Sequence, residues 1–331
     1  MTHTSPLPYP DTFYSRTLTE TRRRPVLQGR ENADCAVVGG GFAGLFTALT
    51  LARGGMRVLL LESRVVGFGA SGRNGGFVSD GYASGAASIR RRVGAAQAEA
   101  LADLSAEGVE IMRTAIRDLV IPGADPVGGI LRLRRFDRAG DLQAQATPGM
   151  PYLDREAIRG HVVSDRYLHG LEERTGFHIH PLNTLRGLAA ELERLGGRIF
   201  EGSAVTGCDL TGPTKVLTTA QGRVEAPQVV FATGGYTTGL VPRLRRAMLP
   251  IATYVMMSEA APDLLASAIR TRMAIGDDRR AGDYYRLVEG GKRLLWGGRI
   301  TTRAADTPGI TRQLRAEMLG AYPQLAPLRT E

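Results

Sequence analysis

The chain has 331 residues, an apolar fraction of 43% and a formal net charge of +9 at pH 7. This length allows a large core and predicts two domains, and the composition is that of an ordinary α/β protein. No apolar run approaches the ~20 residues that span a bilayer, and residues 1–11 lack the apolar core of a secretory signal. We therefore expect a soluble, cytoplasmic protein with no membrane span.

The positive charge does not by itself indicate a nucleic-acid-binding protein. Arginines cluster at 22–24 and 90–92, but neither cluster is interleaved with aromatic residues and no nucleic-acid-binding motif is present. The two cysteines have no C-x-x-C partner, and the i, i+2 pair His178 and His180 has no clustered carboxylate beside it. We expect neither a nucleic acid nor a metal. The basic surface would attract an anionic cofactor or substrate.

In chain order, the first segment is rich in proline and the first regular elements follow it. Four prolines break residues 1–32, which predicts an extended N-terminal arm. A short apolar strand, Cys35 to Val38, then leads into a helical pattern at 45–53 and a second apolar strand at 57–61. This order predicts a βαβ unit.

The turn between the first strand and the helix has the spacing G-x-G-x-x-G, formed by Gly39, Gly41 and Gly44. The first glycine allows a tight turn, the second lets a pyrophosphate approach the backbone, and the third lets the helix pack on the strand. The N–H groups at the helix N-terminus favour a phosphate. Glu62, at the tip of the second strand, can accept both hydroxyls of an adenosine ribose. The complete unit predicts a dinucleotide site.

A second glycine-rich stretch, residues 67–76, lies in a long segment at 63–85 with little periodicity. Loops of this length are uncommon and often functional. Ser71, Asn74 and the backbone N–H groups are suited to a pyrophosphate or the polar edge of a flavin ring. Arg73 would add positive charge there. From composition alone, a flexible surface loop is the alternative.

The remaining pattern alternates between helices and strands. Helices are predicted at 97–120, 185–195 and 311–322. Strands are predicted at 129–135, 198–200, 203–210, 214–219, 222–226, 229–232 (buried), 250–259, 271–275, 283–288 and 293–299. We predict an α/β fold with a discontinuous Rossmann-like domain (33–85 and 181–240), preceded by the arm. A mostly antiparallel α+β substrate domain (86–180 and 241–331) completes the prediction.

The chain resembles the FAD-dependent amine and D-amino-acid oxidase superfamily, which includes glycine oxidase and sarcosine oxidase, and within it the bacterial gamma-glutamylputrescine oxidoreductase branch. The resemblance runs from about residue 9 to the last residue. Its most specific part is the stretch from Gly69 to Gly76, which nicotinamide dehydrogenases lack. Segments 33–45, 180–189 and 232–236 also match, as do Tyr284-Tyr285-Arg286 and Gly297-Gly298-Arg299.

The resemblance implies a non-covalently bound FAD. In this chain the implied cofactor-binding residues are Gly39, Gly41, Phe42, Ala43, Gly44, Glu62, Ser63, Ser71, Gly72, Arg73, Asn74, Gly75, Val205, Ala232, Thr233 and Gly234. Val205 would contact the adenine through its backbone. Thr233 has a plainer alternative as a strand-end residue.

The resemblance also implies a reaction: oxidation of a CH–NH bond in a small amine or amino acid derivative by hydride transfer to flavin N5, with hydrolysis of the resulting imine. No general base is identified, so the catalytic residues stay unknown. Weak candidates for the substrate pocket are Tyr254, Tyr284, Tyr285, Arg286 and Arg299, and packing or surface roles are the alternative for each. An arginine there would suit a substrate carboxylate.

The family's pattern continues beyond Glu331, normally with a segment that closes the nucleotide domain. We therefore expect the C-terminal closing segment to be missing from this chain. The alternative function is then a truncated, catalytically incompetent flavoprotein fragment, or one half of a split enzyme. A nicotinamide-dependent dehydrogenase is a third possibility, against which residues 67–76 argue. The sequence does not indicate the oligomeric state or the electron acceptor.

Overall fold

The structure is a computed structural model that describes residues 9–137, 139–237, 239–279, 282–302 and 308–330. Its helices are α1 (Phe13–Arg16), α2 (Phe42–Arg53), α3 (Ala86–Val93), α4 (Ala95–Asp118), α5 (Ala139–Gln143), α6 (Arg155–His161), α7 (Pro181–Arg194), α8 (Pro242–Ala247), α9 (Pro262–Ala266) and α10 (Pro308–Ala321). Single 3-10 turns lie at Ala70–Gly72, Gly234–Tyr236, Glu289–Gly291 and Pro323–Leu325.

The strands are β1 (Gly29–Asn32), β2 (Cys35–Val38), β3 (Val58–Leu61), β4 (Phe77–Val78), β5 (Val127–Arg134), β6 (Tyr152–Leu153), β7 (His169–His178), β8 (Arg198–Phe200), β9 (Gly207–Asp209), β10 (Lys215–Thr218), β11 (Gly222–Ala226), β12 (Gln228–Phe231), β13 (Ala252–Met257), β14 (Ala274–Asp277), β15 (Tyr284–Val288) and β16 (Arg293–Thr301).

The chain divides into two compact units. The first unit comprises Met1–Asn74, Ala115–Ala124 and His180–Pro250, and the second comprises Gly75–Thr114, Asp125–Ile179 and Ile251–Glu331. The boundaries expected from the sequence were 85/86, 180/181 and 240/241. The largest differences are at residues 75–85, which lie in the second unit, and at residues 115–124 and 241–250, which lie in the first.

The first unit is built on a parallel sheet in the order β12-β2-β3-β8. All residues of β2 and β3 are buried, as expected for continuous apolar strands inside a parallel sheet. The α2 helix buries Leu45, Ala48 and Leu49, and it begins at Phe42, three residues before the predicted start. The predicted βαβ unit is therefore present.

Strand β12 lies at the edge of this sheet and pairs with β2 on one side. The sequence predicts a buried strand at 229–232, but Val229, Val230 and Phe231 are only half-buried. An apolar run alone does not distinguish a central strand from an edge strand. The strand prediction is confirmed here, and the predicted full burial is wrong.

The N-terminal segment is more ordered than an extended arm. Residues 29–32 form β1, which pairs in parallel with β11 in a second sheet of the first unit, ordered β1-β11-β10-β9. Residues 13–16 form α1, which begins with a capping box between Thr12 and Ser15. Residues 1–8 of the predicted arm lie outside the described residues.

The second unit contains an eight-stranded sheet in the order β13-β16-β15-β14-β5-β7-β4, with β6 paired to β7. Its pairings are antiparallel except for β14 with β5. Trp296 and Tyr285 are fully buried in its core. The predicted fold class, a Rossmann-like domain with a mostly antiparallel second domain, is confirmed. In the described ranges, no helix has the length and apolar character required to cross a bilayer.

We predict that Gly44→Ala destabilises the protein by about 3 kcal/mol or more, because a Cβ at Gly44 would lie 1.9 Å from the carbonyl oxygen of Gly39. The matched control is Gly108→Ala in the middle of α4, where no atom lies within 4 Å of the added Cβ. That change should stabilise the protein by about 1 kcal/mol through helix propensity. Urea unfolding of both variants measures the effects, and equal effects would contradict the packing argument.

Candidate functional site

The turn between β2 and α2 requires glycine for steric reasons. Gly39 has a φ of +114°, and a Cβ there would lie 2.5 Å from the carbonyl oxygen of Ala232. The backbone N–H of Ala232 in turn donates to the Val38 carbonyl at 2.8 Å. A Cβ at Gly41 would lie 2.8 Å from Ser71 Oγ. The two predicted glycine-rich segments and Ala232 therefore converge on this turn.

The N-terminus of α2 has N–H groups available for an anion. The N-cap residue, Gly41, supplies no side-chain cap, and the N–H of Phe42 donates to Ser71 Oγ at 3.2 Å. Within the described residues, the N–H groups of Gly41, Ala43 and Gly44 have no protein acceptor. A helix N-terminus of this kind favours a phosphate through both its N–H groups and its dipole.

Glu62, directly after β3, has a fixed orientation. Its Oε2 accepts the N–H of Gly40 at 2.7 Å, and its Oε1 accepts the N–H of Arg64 at 2.8 Å and the hydroxyl of Ser63 at 3.2 Å. Burial raises the pKa of the Glu62 carboxyl, while these hydrogen bonds act in the opposite direction. These bonds use three of the about four acceptor sites of the carboxylate, so Oε2 keeps one for a ribose hydroxyl. The role of Gly40 was not predicted, although its place inside the glycine motif was a usable signal.

Val205 follows a segment that runs beside Glu62. The backbone N–H of Glu62 donates to the Phe200 carbonyl at 2.9 Å, and the N–H of Ser203 donates to the Glu62 carbonyl at 2.9 Å. The Val205 side chain packs against the core of the first unit. Its backbone makes no hydrogen bond within the part of the chain that the structure describes. The expected contact of Val205 with the adenine stays a prediction.

The loop from Val66 to Asn74 has its own internal contacts. A Cβ at Gly72 would lie 2.0 Å from the Gly67 carbonyl oxygen, so the loop folds tightly on itself. The Asn74 amide donates to the carbonyls of Ala70 at 3.1 Å and Ser71 at 2.9 Å. Both N–H donors of the Asn74 amide therefore serve the loop, and the expected contact of Asn74 with the cofactor stays a prediction.

Arg73 is held by the 3-10 turn at Gly234–Tyr236. Its Nη2 donates to the Tyr236 hydroxyl at 2.7 Å, and its guanidinium lies 5.3 Å from the centre of the Phe68 ring. Thr233 shares a hydrogen bond of 2.5 Å with the Thr237 hydroxyl. Arg73 therefore lies beside the Thr233–Gly234 segment, and the predicted cofactor residues other than Gly75 belong to the first unit.

In the second unit, Arg286 binds backbone rather than solvent or substrate. Its buried guanidinium donates to the carbonyls of Gly75 at 2.7 Å and Ile179 at 2.8 Å, and to His178 Nδ1 at 2.9 Å. The Ile179 N–H donates to the Gly76 carbonyl at 2.8 Å. Arg286 thus holds the end of the second glycine-rich stretch on the segment after β7. This function replaces its proposed role in the substrate pocket.

Tyr285 is likewise a core residue. Its ring stacks on Trp296 with centroids 4.1 Å apart, and its hydroxyl makes hydrogen bonds of 2.7 Å with Tyr322 and 3.2 Å with Tyr167. Burial raises the pKa of the Tyr285 hydroxyl well above its usual range. A fully buried, satisfied phenol cannot line a pocket, so this weak candidate is wrong. Tyr284, the preceding residue of β15, faces the opposite side of the sheet, because successive side chains alternate along a strand.

Arg299 occupies an unusual backbone position. It is the additional residue of a β-bulge, because Thr253 pairs with Ile300 and Tyr254 pairs with Gly298, and its φ is +58°. Bulges and left-handed residues are enriched beside active sites, where they redirect a side chain. The half-buried Tyr254 ring packs at the edge of the core.

Arg299 belongs to a group of three arginines around one carboxylate. It donates to Glu317 Oε1 at 3.0 Å, and Arg279 at 2.8 Å and Arg166 at 3.0 Å bind the same side chain. Burial raises the pKa of the Glu317 carboxyl, but the Arg166 hydrogen bond and the other two guanidinium charges lower it overall. Arg279 also pairs with the buried Asp283, so three guanidinium charges face two carboxylates and one positive charge remains for an additional anion.

The ring of Tyr284, the remaining weak candidate, lies against Gly297 and Phe77. A Cβ at Gly297 would lie 2.1 Å from the Tyr284 ring, and the ring meets Phe77 edge to face with centroids 5.9 Å apart. Gly297 therefore has to be glycine so that this ring can lie across β16. Of the five weak candidates, Tyr254, Tyr284 and Arg299 stay possible pocket residues.

Comparison with known proteins identifies the family. The model of the family described as FAD dependent oxidoreductase (DAO) matches residues 34–331. The chain belongs to this family. FAD is accordingly its cofactor, and the unpartnered N–H groups at the start of α2, with the Glu62 carboxylate, fit the phosphates and ribose of that group.

Individual relatives agree with this assignment. The chain is 37% identical over 301 residues to gamma-glutamylputrescine oxidoreductase of Escherichia coli K12, a match that covers 88% of this chain and 70% of that protein. It is 31% identical to the probable oxidoreductase OrdL of Haemophilus influenzae, covering 95% and 74%. The fold is similar to the crystal structure of glycine oxidase from Geobacillus kaustophilus, with a TM-score of 0.70, 20% identity, and coverage of 91% and 81%.

We predict that His178 makes the protein sensitive to acid. Burial, and next the Arg286 charge, lower the pKa of His178 to about 3, from an ordinary 6.5. The neutral ring accepts from Arg286 and donates to the Arg272 carbonyl at 2.8 Å. A lowered folded-state pKa gives stability that is complete above pH 6.5 and is lost as the pH falls toward 3. Between pH 7.5 and 5.0, this one group should cost about 2 kcal/mol of unfolding free energy.

The matched variant is His178→Gln, whose amide can accept from Arg286 and donate to the Arg272 carbonyl without titrating. Urea unfolding at pH 7.5 and 5.0 measures the loss in both proteins. The variant should lose about 2 kcal/mol less than the wild type over this interval. Equal losses would show that the pKa of His178 is the same in the folded and unfolded states, which contradicts the prediction.

Proposed function

We propose that this protein oxidises the CH–NH bond of a small amine that carries a carboxylate, with a gamma-glutamylputrescine-like compound as substrate. The observation that supports the cofactor part is the meeting of the α2 N-terminus, Glu62 and Ser71 in one unit. The 37% identity to the Escherichia coli gamma-glutamylputrescine oxidoreductase supports the substrate class.

FAD, when bound, supplies the acceptor for the two electrons that leave the carbon–nitrogen bond. The chain's own residues bind and orient. The N–H groups of Gly41, Ala43 and Gly44 would bind the pyrophosphate, and Glu62 would accept a hydroxyl of the adenosine ribose. Non-covalent binding is proposed, since Cys35 is buried in β2 and Cys208 contacts the Leu240 carbonyl.

For the substrate, we propose that Arg299 binds the carboxylate. Its guanidinium is more than a third exposed, it projects from a bulge, and it lies among three arginines that share one glutamate. Tyr254 and Tyr284 would supply apolar surface for the methylene chain. Orientation of the amine carbon by such contacts is the protein's main contribution to the rate.

The first test is anaerobic reduction of the purified protein loaded with FAD. We expect gamma-glutamylputrescine to bleach the visible band of the oxidised flavin, and putrescine, which lacks the carboxylate, to react far more slowly. A bound flavin that none of these amines reduces would contradict the proposed activity and favour a catalytically incompetent flavoprotein. A protein that binds NADH and not FAD would favour the nicotinamide alternative.

The second test is Arg299→Lys. A lysine keeps the charge but loses the bidentate geometry, so kcat/KM for gamma-glutamylputrescine should fall about 10- to 100-fold. The rate with putrescine should stay within about twofold, because that amine has no carboxylate to bind. Thermal unfolding serves as the stability control. An equal loss with both amines would mean that Arg299 acts through the fold and not through the carboxylate.

A further inference from the structure

The N-terminal segment holds both ends of the loop from Val66 to Asn74. The Tyr9 hydroxyl donates to the carbonyl of Val66 at 2.5 Å, and the Tyr14 hydroxyl donates to the carbonyl of Asn74 at 2.7 Å. The donors lie 57 and 60 residues before their acceptors, and all four residues belong to the first unit. Two phenols thus close the loop at its first and last peptide.

At the first end of the loop, both the carbonyl and the N–H of Val66 are hydrogen-bonded. Besides its carbonyl bond to Tyr9, the N–H of Val66 donates to Glu201 Oε1 at 2.9 Å. Glu201 is fully buried, accepts the N–H of Arg24 at 3.1 Å and pairs with Arg186 at 3.0 Å. Because a buried carboxylate must be paired, Glu201 is restricted to this orientation. The N-terminal segment therefore contributes to the Val66 anchor twice, through Tyr9 and through Arg24.

The second end of the loop is held by a phenol that is itself fixed. Tyr14 is 3% exposed, and its ring packs edge to face on His180 with centroids 4.9 Å apart. His180 Nδ1 accepts the N–H of Asn183 as the cap of α7, and its Nε2 shares a hydrogen bond of 2.9 Å with the Thr17 hydroxyl. Tyr14 is thus oriented by the start of a 14-residue helix.

Between these anchors the loop also makes contacts of its own: the Gly67 N–H donates to the Gly40 carbonyl at 2.9 Å, and the Asn74 amide donates to two carbonyls of the loop. Its glycines at 67, 69 and 72 give it a large conformational entropy in any state in which the ends are released. The loop must nevertheless place Ser71 Oγ within 3.2 Å of the Phe42 N–H, at the N-terminus of α2. Fixing both ends therefore adds to the contacts that keep Ser71 beside the anion-binding end of that helix.

We propose that Tyr9 and Tyr14 are positioning residues for FAD. Their two hydrogen bonds, which we call the clamp, hold the loop in its cofactor-binding shape before FAD binds. The N-terminal segment then contributes to the cofactor site. This inference rests on the proposed contact of the loop with FAD. Without the clamp, FAD has to order the loop as it binds, which weakens binding.

The test uses Tyr9→Phe, Tyr14→Phe and the double variant. Each removes one hydroxyl and keeps the ring. The control is Tyr82→Phe in the second unit, an exposed tyrosine that also loses one phenol–carbonyl bond, to Leu101 at 2.8 Å. We expect FAD dissociation constants about 10-fold higher for each single variant and about 100-fold higher for the double variant, with no change for the control.

A second readout follows the loop directly in the protein without FAD. Trypsin cleaves after arginine, and Arg73 lies inside the loop, so mass spectrometry can follow cleavage of the Arg73–Asn74 bond. Release of the Asn74 end in Tyr14→Phe should make this cleavage about fivefold faster than in Tyr82→Phe. The comparison requires that the two variants have equal urea midpoints. Saturating FAD should restore protection in the Tyr14→Phe variant.

The outcomes separate the clamp from the proposed function. If Tyr14→Phe and Tyr9→Phe match Tyr82→Phe in both FAD affinity and Arg73 cleavage, the clamp is overturned. If cleavage accelerates but FAD affinity does not change in any variant, the loop is clamped but does not contact FAD, and the proposed cofactor placement fails. If affinity falls only together with the urea midpoint, the tyrosines act through global stability, which also overturns the inference.

Discussion

The close approach of α2 to the end of β2 is the constraint on which the cofactor site depends. It exists because Gly44 has no Cβ; an added methyl would lie 1.9 Å from the Gly39 carbonyl oxygen. This contact aims the first N–H groups of α2 at the space above the sheet. The same approach brings Gly40 to Glu62 at 2.7 Å and Gly41 to Ser71. One missing side chain therefore sets the positions of the anion site, the ribose carboxylate and the loop.

Two buried charged side chains, Arg286 and Glu201, bind backbone groups. Arg286 holds two carbonyls and a histidine, and Glu201 holds two N–H groups while Arg186 compensates its charge. Such groups are costly to bury unless every donor and acceptor is used. Their hydrogen bonds fix irregular, glycine-rich segments in one conformation. Apolar packing alone cannot do this, because it does not orient polar backbone groups.

The sequence predicted the βαβ unit around the candidate site, and the cofactor roles of its residues stay predictions. The βαβ unit, the glycine spacing and Glu62 depend on residues close together in the chain, so their pattern can be read directly. The candidates on the later strands were harder. Alternation along β15 shows that Tyr284 and Tyr285 point to opposite faces, but it does not say which face is core. The packing of Tyr285 on Trp296 answers that question.

By itself, then, the sequence determined the type of fold, the family resemblance and the residues around the dinucleotide turn, because these follow from short-range spacing and steric demand. Only the tertiary structure decided that Arg286 serves backbone and that Arg299 is a bulge residue. It also decided that Tyr14 closes a loop 60 residues away. The physical reason is that a hydrogen bond between distant segments depends on where the whole chain places its donor and acceptor, and no local pattern encodes that distance.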